Sequence, residues 1–335
     1  MSVPGRSSLA GTTAAVATGI TANLIWGLAF LVPVLLSAFD PVVITLGRYV
    51  SYGVVSLLIL AVTRTRLRGL GRDVWLMAAL FAFTGNVGYY FFLVQGVALV
   101  GAPVVAVIIG TLPVTVALYG NWRQREFPFS RLALPMALIA AGLILVNLTE
   151  AGGSGTADRP LGAQLAGGGC ALLALLMWTW YGVANAAFLK THPDMTSGRW
   201  ATLIGVVTLV MALLASPLLL LGSTASPTPG TGGVGDSVAW LIVGSLVLGI
   251  LVSWGGTLLW NRASHQLPVS VSGQLIVFET ISGLSYVFLA ERRLPPPVEV
   301  AGIAVVIIGV LIGIRRSMRQ AAREPVGHLN HGNDR

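Results

Sequence analysis

The chain reads as an all-α integral membrane protein whose ten transmembrane helices form two inverted five-helix repeats. Three observations carry this reading. Apolar residues make up 55% of the 335 positions and charged residues only 10%, against about 25% charged in ordinary soluble domains. The apolar residues fall in ten long runs, each near the ~20 residues that a helix needs to cross about 30 Å of hydrocarbon. Basic residues crowd into alternate gaps between those runs, as the positive-inside rule requires. Mean hydropathy is +0.83.

The runs cover residues 14–37, 42–63, 74–98, 103–121, 130–148, 162–189, 198–221, 237–261, 268–290 and 297–315. Only Arg6 precedes the first. It is longer than a signal-peptide core and further spans follow at once, so it is expected to remain as the first helix. Residues 149–160 are polar and glycine-rich, and residues 222–236 are rich in Gly, Pro, Ser and Thr. Both read as flexible connections. The first repeat is expected over 14–148, the second over 162–315, and a disordered basic tail over 316–335.

Orientation follows from Lys and Arg. One set of gaps holds Arg64, Arg66, Arg68 and Arg72, then Arg123, Arg125 and Arg131, then Lys190 and Arg199, then Arg262. The tail adds Arg315, Arg316, Arg319 and Arg323, while the opposite side has little beyond Arg159, Arg292 and Arg293. The basic side is cytoplasmic by this rule, which puts both termini in the cytoplasm and requires an even number of spans. The net charge of +8 therefore orients the chain in a bilayer and does not point to nucleic acid. The single cysteine, Cys170, excludes an internal disulfide and a multi-cysteine metal site.

The two halves share an ordered set of landmarks. Trp26 precedes Pro41 and Arg48-Tyr49, and Trp178 precedes Pro193 and Arg199-Trp200. Ala98, Pro103 and Glu126 are matched by Ala263, Pro268 and Glu291, each 165 residues on (263 − 98, 268 − 103, 291 − 126). Tyr89 and Trp254 share that offset. Five is odd, so the second half enters the membrane upside down relative to the first. Inverted repeats around a site near the bilayer midplane are common in secondary transporters, which work by alternating access.

These landmarks resemble the EamA-like branch of the drug/metabolite transporter superfamily across residues 14–315. The likeness rests on Trp26-Gly27, on the Arg-aromatic pair in the second helix of each half, and on Glu126 and Glu291 after the fourth. Glycine-rich fifth helices follow, with Gly142, Gly302 and Gly309. The resemblance implies a ten-helix carrier, commonly an exporter of amino acids and other metabolites. The stretch Trp178-Thr179-Trp180-Tyr181 with Asn185 is similar to bacterial aromatic amino acid exporters of that family. Glu279 departs from their pattern.

Glu279, in the middle of the ninth run within VFETISG, is the sharpest single signal. A carboxylate at bilayer depth costs at least ~2.5–3.5 kcal/mol and marks a substrate or proton site by default. The bland alternative is a hydrogen-bonded Glu that ties two helices. Arg48 and Arg199 either snorkel to the interface or bind a substrate carboxylate through the guanidinium fork. Asn86 with Tyr89 and Tyr90 forms one helical face, and Trp178, Tyr181 and Asn185 another. With Trp26 and Trp254 they would make a mostly apolar pocket with a few fixed polar contacts. Pro33, Pro103, Pro113 and Pro268 sit in or beside spans and are candidate helix breaks.

The expected function is secondary transport of a small organic solute, amino-acid-like or drug-like, in the cell inner membrane. Its expected partners are that substrate and the lipid bilayer, with protons as the candidate coupling ion, no nucleic acid and no cofactor. No GxxxxGK[ST] occurs, and Lys190 is the sole lysine, which argues against ATP hydrolysis. An intramembrane enzyme is the first alternative. No HExxH, no Ser/His pair at membrane depth and no paired carboxylates within one span are present to support it. A lipid translocator or channel is the other. The topology makes one direct prediction: a tag placed after Arg335 is resistant to protease added outside intact cells. Cleavage there would require an odd span count.

Overall fold

The computed structural model describes residues 9–64, 69–151, 160–221, 237–292 and 294–321. The candidate loop tips and Arg6, Arg66, Arg68, Arg159, Arg293 and Arg323 lie outside them. Ten helices are long and apolar enough to cross a membrane: α1 (Gly11–Leu35), α2 (Pro41–Thr63), α3 (Arg72–Val100), α4 (Val104–Gln124), α5 (Phe129–Val146), α6 (Leu161–Thr191), α7 (Ser197–Pro217), α8 (Val238–Gln266), α9 (Val269–Ala290) and α10 (Pro297–Arg316). The last helix continues to Ala321, beyond residue 315, where a tail was expected to begin. Residues 322–335 lie outside the described part.

Helix ends follow from local chemistry. Asp40 caps α2, its carboxylate accepting from Val42 N at 2.7 Å, and Pro41 takes the first helical position, where a missing N–H costs nothing. Ser237 caps α8 in the same way through Trp240 N. Along the helices, large apolar side chains face outward. Val62 is 82% exposed and Leu214 77%, which is the arrangement a lipid surface accepts and water does not.

Inside, helices approach through small residues. α5 and α10 form the most extensive pairing. A Cβ added at Gly142 would lie 2.6 Å from Gly302 O, and one at Gly302 would lie 2.8 Å from Gly142 O. Only glycine permits this backbone-to-backbone contact, the usual means of tight helix packing where lipid supplies no hydrophobic drive. The other extensive pairings are α3 with α6, α1 with α8, α2 with α7, α4 with α9, α2 with α8, α3 with α7, α1 with α9 and α4 with α6. Advancing every helix in this set by five positions returns the same set.

Five helices are irregular within their spans. α1 breaks at Gly27 between segments Leu9–Trp26 and Leu28–Leu35. α4 breaks at Gly110-Thr111, just ahead of Pro113. α3 and α8 contain π-helical stretches, Phe83–Val87 and Val247–Gly255. α9 is also divided, at Ile276, into Val269–Leu275 and Val277–Ala290. Pro33, a candidate break, instead lies within the short second segment of α1. The break falls at Gly27 because α1 there presses on α9, where an added Cβ would meet Gly283 N at 2.8 Å.

The glycine contact gives a stability prediction. Gly142→Val overpacks the α5–α10 contact and lowers stability by about 1–3 kcal/mol, read as a lower thermal midpoint in detergent. Gly168→Ala, where an added Cβ meets nothing within 4 Å, leaves the midpoint unchanged or slightly raised.

Candidate functional site

The helix irregularities converge on one cavity of about 450 Å³. α1 supplies Trp26, Ala29 and Phe30 from either side of its break, and α2 supplies Arg48 and Tyr49. The π-helical stretch of α3 presents Gly85 and Asn86, followed by Tyr89 and Tyr90. That of α8 presents Val252 and Ser253. π-bulges recur at functional sites because they redirect side chains without ending the helix. The break in α9 places Glu279 in the first turn of the segment Val277–Ala290. A helix N-terminus favours a carboxylate, and half-helix ends near the midplane are the usual lining of transporter sites.

The cavity floor is aromatic. Trp26 meets Trp178 edge-on with ring centroids 6.0 Å apart, and Trp260 lies 5.4 Å from Trp26. Tyr181 stands 5.7 Å from Trp178. Trp26 Nε1 donates to Val252 O at 3.1 Å, so the indole is held and its face is available. Arg48 Nε donates to Ser253 Oγ at 2.8 Å, which fixes the guanidinium at the cavity wall. Arg48 and Glu279 thus line the same space, one a guanidinium and the other a carboxyl group. Asn86 Nδ2 donates to Thr208 Oγ1 at 3.3 Å, and Tyr90 Oη to Pro41 O at 3.2 Å.

Eight of the eleven residues singled out from the sequence therefore line this cavity: Trp26, Arg48, Asn86, Tyr89, Tyr90, Trp178, Tyr181 and Glu279. The remaining three stand elsewhere. Asn185 is fully buried in a polar knot, donating to Asn261 Oδ1 at 2.8 Å and accepting from Trp200 Nε1 at 2.7 Å. Trp254 follows Ser253 on α8 but points away, donating to Thr202 Oγ1 at 3.0 Å. Arg199 sits half-buried in the first turn of α7. Other polar side chains of α9 are used within the fold. Ser272 bonds Pro268 O within its own helix, and Tyr286 Oη ties α9 to Leu24 O.

Ser253, Thr257 and Thr280 complete the polar lining and were not singled out. Hydroxyls occur throughout apolar helices, bonded back to the preceding turn, so sequence alone gives them no mark. A larger groove of about 940 Å³ runs along residues 121–129, but one continuous turn lines it and no other helix converges there. Among the described residues no three His, Cys, Asp or Glu side chains come together as a metal site.

Ten membrane-length helices, five of them irregular where they meet a cavity with charged and aromatic walls, define a polytopic membrane protein. The comparisons with known proteins make the class specific. The model of the EamA-like transporter family matches residues 13–148. Over 311 residues the chain is 34% identical to Inner membrane protein YtfF of Escherichia coli (strain K12), covering 92% of this chain and 97% of that one. A solved crystal structure of a protein 18% identical superposes with a TM-score of 0.72, covering 92% of this chain and 99% of the other, and shares the fold. The chain belongs to the EamA-like transporter family and is a multi-pass membrane protein.

The knot around Asn185 gives the next prediction. Asn185→Ala leaves Trp200 Nε1 and Asn261 Oδ1 without partners at a cost of about 1–3 kcal/mol, seen as a lower thermal midpoint in detergent. Substrate affinity of the folded fraction stays at the wild-type level. A loss of affinity with an unchanged midpoint would place Asn185 in the binding site instead.

Proposed function

We propose that the protein is a secondary transporter of the inner membrane that exports small organic solutes, amino-acid-like or drug-like, by alternating access. The observation that carries this reading is the pair Arg48 and Glu279, opposite charges on the walls of one aromatic cavity at mid-membrane depth. A guanidinium fork accepts a carboxylate with two parallel bonds, and a carboxylate accepts an ammonium. Between them Trp26, Trp178 and Tyr181 offer faces to an apolar or aromatic body, and a cation near such faces gains further. A volume of about 450 Å³ lies within the range of small-molecule sites.

The lining residues belong largely to the halves of their helices remote from Gly11 and Arg316. With the basic gaps in the cytoplasm, that half opens to the outside. Glu279 would accept a proton from that side when no ammonium is bound, which couples solute to proton. The repeats 14–148 and 162–315 would then exchange conformations about a pseudo-two-fold axis lying in the membrane plane. The matched set of helix pairings supports this, and so do the matched irregularities in α3 and α8 and in α4 and α9.

Proteoliposomes test the reading. Arg48→Gln and Glu279→Gln each remove one charge and keep the approximate shape. For a zwitterionic substrate each raises KM about 10- to 100-fold, the equivalent of about 1.5–3 kcal/mol for a charge-assisted bond. For an analogue lacking the carboxylate only Glu279→Gln has an effect, and for one lacking the ammonium only Arg48→Gln. Glu279→Gln also flattens the pH profile of counterflow. Wild-type rates and pH profiles in both variants would reduce Glu279 and Arg48 to structural ties.

A further inference from the structure

The half of the bundle below the cavity floor is closed, and the closure is not symmetric. α6 and α7 pack on α8, and α6 on α9. The corresponding pairs, α1 with α3, α2 with α3 and α1 with α4, are parted by the cavity and make no comparable contact among the described residues. Among the described residues, one end is therefore held shut by helix contacts that have no comparable counterpart at the other end.

Glu126 lies at the rim of the shut end. Its carboxylate accepts from Val269 N at 2.6 Å, Ser270 N at 2.9 Å and Ser270 Oγ at 2.6 Å. It thereby satisfies the otherwise unpaired donors of the first turn of α9 and sits at the positive end of that helix. The turn that aims it is well fixed. α4 ends at Gln124, Arg125 adopts a left-handed φ of 51°, and Asn121 exchanges two bonds with Phe127 at 2.8 and 2.9 Å. Lys190 adds a second tie, its Nζ donating to Leu267 O at 3.1 Å within the field of Glu126.

The 165-residue offset puts Glu291 where Glu126 would be, and residues 102–105 where the first turn of α9 would be. There the geometry differs. α9 continues through Ala290, and the left-handed residue is Arg292 (φ 53°), one place after the Glu instead of one before. Val105 N, the counterpart of Ser270 N, donates within its own turn to Gly101 O at 3.4 Å.

The interior of the shut end is also unusual in being polar. Asn185, Asn261, Ser264, Ser270, Ser272 and Gln274 are all fully buried. Trp260 Nε1, Asn261 Nδ2 and Gln274 Oε1 are buried without a hydrogen-bond partner. Unpaired buried donors and acceptors are costly. They are at home on a wall that water reaches in another state.

We propose that Glu126 and Glu291 are alternating latches. In the present state Glu126 caps α9 and holds one end shut. In the other state Glu126 lets go, the polar wall around Gln274 becomes wet, and Glu291 caps the first turn of α4 to shut the opposite end. This rests on the alternating-access reading of the function.

The test reads accessibility, with no substrate needed. In a Cys170→Ala background, single cysteines are placed by Val271→Cys, at a site now 3% exposed in the shut half, and by Ala106→Cys, at the cavity position 165 residues earlier. Their rates of reaction with N-ethylmaleimide are followed by mass spectrometry in proteoliposomes. Glu126→Gln cannot accept from both Val269 N and Ser270 N. It raises the rate at 271 at least fivefold and lowers the rate at 106, whereas Glu291→Gln does the reverse. If both rates rise together, Glu126 only holds the fold and the latch is rejected. If position 271 reacts in the parent but neither rate responds to Glu126→Gln, alternation stands and the latch fails. If position 271 never reacts while 106 does, the alternating-access reading falls and the latch falls with it.

Discussion

Hydrocarbon offers no partner to an N–H or a C=O, so every departure from regular helix must be covered by protein or must border a wet cavity. This constraint organises the molecule. Each end of α2 and α8 that begins a span carries a cap, and the interruptions in α1, α3, α4, α8 and α9 all occur where helices face the central cavity or press on each other. The breaks are thus concentrated where backbone polarity is tolerated, and they deliver Glu279 and Ser253 to the place where Arg48 of the regular helix α2 stands. Glu279 lies in the first turn of a half-helix, whose N-terminal field favours a carboxylate, and Arg48 is held by the Ser253 hydroxyl.

A second consequence concerns how polar groups are distributed between the two ends. At the cavity they are few and spaced, with apolar and aromatic surface between them. At the shut end they are dense, tied to one another through Asn185, Asn261 and Trp200 and rimmed by Glu126. A sealed apolar plug would be more stable than such a wall. Its polarity makes sense for a seal that must part.

The ten spans were legible because lipid imposes length and composition on every one of them, and Gly and Pro positions marked most ends. Glu279 was legible for the same reason, since an ionisable group in hydrocarbon needs a cause. What sequence could not separate were residues whose chemistry suits either a pocket or a knot. Asn185 and Trp254 have the same amide and indole groups as Asn86 and Trp26, and only the neighbour decides: Asn261 and Thr202 engage the first two away from the cavity, while Asn86, bonded to Thr208, and Trp26, bonded to Val252 O, stand on its wall. Nor did anything announce the break at Ile276, which has no proline beside it, or the π-helical turns, which depend on how α3 and α8 lie against their partners. Pro33 misled in the other direction, because a single missing N–H is absorbed by the short segment that contains it.

The glycine contact between α5 and α10 has a mechanical meaning. Gly142 on α5 and Gly302 on α10 bring the two backbones into direct contact, so the halves approach most closely here. The α5–α10 pairing maps onto itself when each helix is advanced by five positions, so under the proposed exchange of conformations these two helices stay together. It serves as a fulcrum: displacement is least there and grows with distance toward α1, α3, α6 and α8. Val306 and Val146 flank the glycines, and their stiff χ1 torsions leave few rotamers to rearrange at this pivot. Bulk added at Gly142 would accordingly stiffen the whole lever as well as weaken the fold.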